Sequence, residues 1–255
     1  MWLSRPRERA DHETVEPTSI SSVPKGRESA ARLIRVVVEG GTKRVFVSAV
    51  DWPGWARSGR DEAAALEALA AYAPRYSSVV ARAKLGFVSP PDTAALHVVE
   101  RLPGNATTDF GAPGVAAKVD ATAVDRVELA RLRKLLTAGW RAFDAGVASA
   151  HGKTLRAGPR GGGRSLTAIV DHVRDAEAGY LSALGWPFKS SATGRELIEQ
   201  THAAVLEGLA ASVGGKIAAR GPRGGVRWNP RFFARRLMWH ALDHLWEIED
   251  RSTRA

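Results

Sequence analysis

The sequence predicts an α+β protein in which a small sheet-containing domain precedes an all-helical one. Runs of β-branched residues of strand length are concentrated in residues 31–104, whereas residues 120–255 carry apolar side chains at helical spacing. The Pro- and Gly-rich stretch 105–119 between them is a candidate interdomain linker. Residues 1–30 mix charge, Ser and Pro without periodicity, so we expect a disordered tail there.

The predicted N-terminal domain has the element order β-β-α-β. Residues 33–39 and 44–50 are rich in Val and are separated by a Gly-Gly turn, which predicts a hairpin. Residues 51–60 are punctuated by Pro and Gly and are expected to be a loop. Residues 61–72 follow as an Ala-rich helix with acidic residues in its first turn, and residues 94–102 are the third expected strand.

Four helices are predicted in the C-terminal half. The first covers about residues 120–150, the second begins after Ser165, and the third covers residues 193–219. In the last, residues 228–251, Asn229 is placed to cap the helix and is followed by proline, which suits the first helical position. Two Gly-rich connections join these helices, an arrangement that fits a bundle.

Composition limits the chemistry and the setting. The chain has no cysteine, so any metal must be held by His, Asp or Glu. It has neither a secretory signal pattern nor an apolar run of about 20 residues, so we expect a cytoplasmic protein without membrane contact. The net charge of +10 is concentrated in Gly-rich connections, which favours solvated loop arginine and predicts no tight nucleic-acid binding. The oligomeric state is left open, with a homodimer as one option.

Three histidines form the candidate metal site. His240 and His244 lie four residues apart on the last helix, so both imidazoles point the same way, and His172 on the second helix is the candidate third ligand. Three imidazoles leave coordination positions open for water or substrate, and they suit zinc, nickel or iron(II). Glu247, the one candidate catalytic residue outside the ligand set, is placed either to orient a ligand imidazole or to pair with Arg251.

One His on an earlier helix followed by the His240-x-x-x-His244 pair on the last resembles the DinB-like superfamily of metalloenzymes. The resemblance covers roughly residues 120–255 and implies a four-helix bundle. It also implies an enzyme acting on a small molecule, as a transferase or isomerase that uses a low-molecular-weight thiol such as mycothiol. Metal-assisted hydrolysis is a second possibility at the same site.

Residues 45–50, the following Asp-Trp-Pro-Gly sequence, Gly59 and the helix from Asp61 resemble the small HicB-like domain. That resemblance implies a compact α+β fold. HicB proteins are antitoxins that pair with an RNA-cleaving toxin, so the alternative function is a regulatory or binding protein. In that case this domain would contact a protein or RNA partner and the helices would be a scaffold.

Overall fold

The computed structural model describes Met1 and residues 33–157 and 163–252. The predicted tail at residues 2–30 lies outside the described residues. The described part of the chain is mixed α+β, with one four-stranded sheet and seven α-helices, as the α+β prediction requires. The finer expectations, a HicB-like domain and a DinB-like bundle, stay predictions. None of the helices in these ranges combines the length and the hydrophobicity needed to span a bilayer.

The sheet has the order β3-β2-β1-β4. Strands β1 (Ile34–Gly40) and β2 (Val45–Ala49) form the predicted antiparallel hairpin. Strand β4 (Leu96–Pro103) lies parallel to β1, and β3 (Ala56–Gly59) lies antiparallel to β2. A parallel neighbour requires a crossover connection, which is supplied here by helices.

Strand β3 corrects the prediction of a loop at residues 51–60. The chain turns at Gly54, whose φ of +90° favours glycine, and then returns along β2. The sequence Ala-Arg-Ser-Gly of β3 has no β-branched residue, so its pattern gave no strand signal. Gly59 is required by packing, because a Cβ there would lie 2.4 Å from the backbone nitrogen of Ala65.

The crossover contains two helices where one was predicted. Helix α1 (Glu62–Ala71) begins at Asp61, whose side chain accepts a hydrogen bond from the Ala64 N–H at 2.8 Å. Helix α2 (Ala73–Val80) follows at once and has proline in its first turn. The observed order in this half is therefore β-β-β-α-α-β.

The predicted linker at 105–119 contains helix α3 (Ala106–Phe110), and a 3₁₀ turn (Lys118–Ala121) follows it. This segment is held to β1 by the buried carboxylate of Glu39. Glu39 accepts hydrogen bonds from the Thr108 hydroxyl and from the N–H groups of Gly114 at 2.8 Å and Val115 at 3.1 Å. The division into independently folding domains stays a prediction.

Four long helices follow, as predicted, with shifted ends. They are α4 (Arg126–Ala150), α5 (Leu166–Leu184), α6 (Gly194–Val213) and α7 (Pro230–Arg251). The first starts later than expected because Asp125 caps it, and the third ends earlier because two glycines follow it. The predicted Ser165 and Asn229 caps are confirmed by their hydrogen bonds to backbone N–H groups.

Helix α7 is buried on nearly all sides because the sheet layer and the other long helices both pack against it. From the sheet layer, Gly54 approaches Met238 closely, and the ring of Phe46 meets that of Trp239 edge to face at 5.9 Å. From the helical side, α4, α5 and α6 contact the same helix. One hydrophobic core thus contains residues of both layers, and the position of α7 is set by both.

Candidate metal centre

Helices α5 and α7 bring His172, His240 and His244 together. The three imidazole ring centres lie 4.7–5.0 Å apart, and one possible ligand atom from each ring lies within 4.8 Å of the others. His240 and His244 are buried and His172 is partly buried. The grouping arises because the two α7 residues share a face and α5 packs along that face.

The ring nitrogens of His172 and His240 point at one another. Their Nε2 atoms are 3.2 Å apart. Two metal–nitrogen bonds at a tetrahedral angle would place their nitrogens about 3.3 Å apart, so this separation fits two ligands of one zinc-like ion. The separation of this pair is therefore compatible with a shared divalent metal, and it is also that of a hydrogen bond between the two rings.

Glu247 contacts both of the partners that were considered for it, an imidazole of the histidine cluster and Arg251. Its Oε2 lies 2.7 Å from Nδ1 of His244, and its Oε1 accepts a hydrogen bond from Arg251 Nη1 at 2.5 Å. Arg251 is itself fixed, because it also donates to the backbone carbonyls of Arg156 and Arg164. A carboxylate at Nδ1 favours the tautomer that keeps the proton there, which leaves the Nε2 lone pair of His244 for a metal.

Electrostatics favours the neutral, ligating form of two of the imidazoles. Burial, helped by the neighbouring His244 and Arg236, lowers the pKa of His240 to about 2. Burial and the charge of Arg164 also lower the pKa of His172. The hydrogen bond from His244 lowers the pKa of Glu247, so this carboxylate is ionised at neutral pH. Metal binding at pH 7 would therefore require no deprotonation of His172 or His240.

The three histidines line a cleft of about 840 Å³ between the sheet layer and the long helices. The lining also includes residues of the N-terminal half of the chain, among them Arg44 before β2 and Phe110 and Gly111 at the end of α3. Asp243, the residue before His244, also lines the cleft, where it is paired with Arg57 at 2.9 Å. This volume is in the range of small-molecule sites.

Sequence reasoning did not identify Arg236 as a cleft residue. It precedes His240 by one helical turn, and its guanidinium lies over the rings of Trp239 at 4.7 Å and Tyr180 at 5.1 Å. Its position four residues before His240 could have indicated this, because residues at that spacing lie on the same face of a helix. Nη1 of Arg236, Nε1 of Trp239 and Nδ1 of His240 are buried and have no hydrogen-bond partner among the described residues.

A second buried cluster lies outside this site, between α4, α5 and α6. Glu177 accepts a hydrogen bond from Trp140 Nε1 at 2.8 Å, and His202 stacks on the Trp140 ring at 3.8 Å. Burial raises the pKa of Glu177 to about 7 and lowers that of His202 to about 4, so they do not form a conventional ion pair. Because the pKa of Glu177 in the folded protein lies above its ordinary value of 4.5, its protonated form stabilises the fold. This stabilisation is fully present below pH 4.5 and is lost as the pH rises through about 7.

Comparison of the chain with known proteins gave no matching family model, no similar curated protein and no similar solved structure.

Proposed function

We propose that this protein is a metal-dependent enzyme that acts on a small molecule, with His172, His240 and His244 as the metal ligands. The observation that carries the proposal is the convergence of three imidazoles, within 4.8 Å of one another, at the wall of a cleft. Three nitrogen ligands leave a coordination position for water or substrate, the arrangement of catalytic rather than structural sites. Zinc, nickel and iron(II) all suit imidazole ligands.

The residues around the site have separable roles in this proposal. Glu247 holds His244 in its ligating tautomer, and Arg251 holds Glu247. The bound metal would supply Lewis acidity, which makes a coordinated thiol or water acidic enough to act as a nucleophile near neutral pH. The chain has no cysteine, so a thiol would have to come from a small molecule. The DinB-like resemblance favours such thiol-dependent transfer or isomerisation over hydrolysis.

The metal content of purified protein tests this proposal. Wild-type protein reconstituted with zinc, nickel or iron(II) and freed of excess metal should retain about one ion per chain, by the three-ligand argument. His172→Ala, His240→Ala and His244→Ala should each lose most of it. His97→Ala is the matched control, because His97 is an exposed histidine on β4. Equal, substoichiometric metal in the wild type, the three variants and the control would refute the proposal.

A second candidate function, a binding protein for an anionic partner, is favoured by one other observation. A groove of about 680 Å³ is lined by five cationic side chains and by no acidic one: Arg82, Lys84, Arg133, Lys134 and Arg141. The residues that line it include no aromatic ring on which a base could stack, so we expect only weak, salt-dependent association with RNA or duplex DNA. Submicromolar binding in a gel-shift titration, unchanged in His240→Ala, would favour the binding protein over the enzyme.

A further inference from the structure

Three arginines are buried among the described residues, and they differ in what balances their charge. Arg235 is 8% exposed and donates two hydrogen bonds to Asp120, at 2.9 and 2.5 Å. Arg251 is 6% exposed and is bound by Glu247 and two backbone carbonyls. Arg236 is 9% exposed and has neither an ion pair nor a hydrogen bond within the described ranges. A buried cation without a partner is costly, so its retention calls for an explanation.

The surroundings of Arg236 balance its charge only in part. Its two ring contacts lie on the faces of aromatic rings and leave the buried Nη1 group without an acceptor among the described residues. An enclosed space of about 10 Å³ separates it from the region of Glu39, which is too small for more than one water molecule. The carboxylates of Glu39 and Asp243 act on Arg236 through their charge but make no hydrogen bond to it, because Glu39 is bound by Thr108 and two backbone N–H groups and Asp243 by Arg57. Burial outweighs these charges and lowers the pKa of Arg236.

The carboxylates of the metal cleft are also occupied. Asp243 is paired with Arg57, Glu247 with His244 and Arg251, and Asp250 with Arg75 at 2.9 Å. Five arginines line the cleft against these three carboxylates, and a divalent metal would add further positive charge. An anion is therefore the ligand class that this cleft favours.

We infer that Arg236 binds the carboxylate of the substrate while the reacting group of the same molecule lies at the histidines. The inference rests on the proposed function, because it takes the three histidines as the place of reaction. Arg236 and His240 are one helical turn apart on the same face, so their Cβ atoms are about 6 Å apart. The substrate would be a small carboxylate with its reacting atom only a few bonds away.

A carboxylate suits this position better than a phosphate does. The planar guanidinium matches the two oxygens of a carboxylate, and a single buried arginine balances a single negative charge. A phosphate dianion usually recruits several cations held in place, whereas Arg57 and Arg251 are already engaged by carboxylates of the chain and Arg164 is exposed to solvent. The rings of Trp239 and Tyr180 provide an apolar surface for the short carbon chain of the substrate.

The test uses two probes that differ only in charge, 3-mercaptopropionate and 3-mercaptopropionamide, titrated into cobalt(II)-loaded protein. The near-ultraviolet thiolate-to-cobalt band reports binding at the metal. The acid should bind about 10- to 100-fold more tightly than the amide, as expected for a hydrogen-bonded ion pair in a buried site. In Arg236→Gln the ratio should fall to near one, and in Arg236→Lys it should be intermediate. Arg133→Gln, which removes an exposed arginine from the separate cationic groove, should leave it unchanged.

A second measurement separates this inference from the proposed metal function. In metal-free protein, millimolar 3-mercaptopropionate should raise the melting temperature of the wild type and not that of Arg236→Gln. Without ligand, Arg236→Gln should melt no lower than the wild type, because the substitution removes an unpaired buried charge. If cobalt does not bind but this stabilisation persists, the carboxylate site stands and the metal function fails. An acid-to-amide ratio unchanged in Arg236→Gln, or a larger stabilisation by inorganic phosphate than by the carboxylate, would overturn the inference.

Discussion

Removing the carboxylate of Glu247 should weaken metal binding without removing a ligand. The carboxylate lies 2.7 Å from Nδ1 of His244 and its side chain is 30% exposed, so the contact is partly screened by solvent. A hydrogen bond to a charged group contributes about 1.5–3 kcal/mol. With allowance for the exposure, we expect Glu247→Ala to weaken metal affinity about 10- to 100-fold, in the range measured for partners of metal-bound histidines.

The assay is competition for zinc against a chromophoric chelator at pH 7.5, with the melting temperature of each metal-free variant measured in parallel. Glu247→Gln should fall between wild type and Glu247→Ala, because an amide oxygen still accepts the Nδ1 proton but carries no charge. Glu249→Ala is the matched control. It removes a carboxylate of the same helix that is bound to Arg75 rather than to a histidine.

The result that would refute this reasoning is a Glu247→Ala affinity within about twofold of that of Glu249→Ala, far less than the loss expected for the partner of a metal-bound histidine. The carboxylate would then serve only to pair with Arg251, and the orientation of His244 would come from packing alone. A large fall in the melting temperature of metal-free Glu247→Ala would point to the same structural role.

Three further outcomes are expected. Glu177→Gln should increase the free energy of unfolding by up to about 3 kcal/mol at pH 8 and by less at pH 5. The reason is that burial disfavours the ionised carboxylate, which is present in the folded protein only above a pKa of about 7. Urea denaturation at both pH values measures the difference. Bound metal should be lost on acidification, because a protonated imidazole cannot bind it. His172 and His240 should become protonated only below the free-imidazole pKa of about 6.5, because their pKa values are lowered. Metal content after dialysis at pH values between 7.5 and 3.5 measures this loss, and a constant content would contradict the ligand assignment. Gly59→Ala should destabilise the fold by about 1–3 kcal/mol, because the added Cβ would meet the backbone of α1. Gly179→Ala, on the open face of α5, should stabilise the fold by roughly 0.5–1 kcal/mol through its higher helix propensity. Thermal unfolding of both variants measures the two effects.

Local signals in the sequence predicted the features that depend on neighbouring residues. The hairpin followed from two Val-rich runs around a Gly-Gly turn, and the start of α7 followed from Asn229 before a proline. The proximity of His240 and His244 is a property of one helix. The proximity of His172 to this pair was inferred from a family resemblance, because no local sequence signal shows that α5 packs against α7.

Features that depend on packing between distant segments were missed. Strand β3 exists because an edge of β2 was available to pair with it, not because its own residues favour strand. Arg236 was missed because a helix with polar residues on several faces is usually exposed on one side, whereas α7 is covered on nearly all of them. The burial of Glu177, which raises its pKa, likewise depends on three helices that are separate in sequence.

The two walls of the metal cleft come from different parts of the chain. All three histidines belong to α5 and α7, whereas Arg44, Phe110 and Gly111 contribute to the lining from the hairpin and the end of α3. Loop and connecting segments tolerate sequence change better than the elements they join. If the proposed function holds, substitutions near Phe110 would change which molecules enter the cleft while the three histidines keep their positions, so that selectivity and reactivity could be altered one at a time.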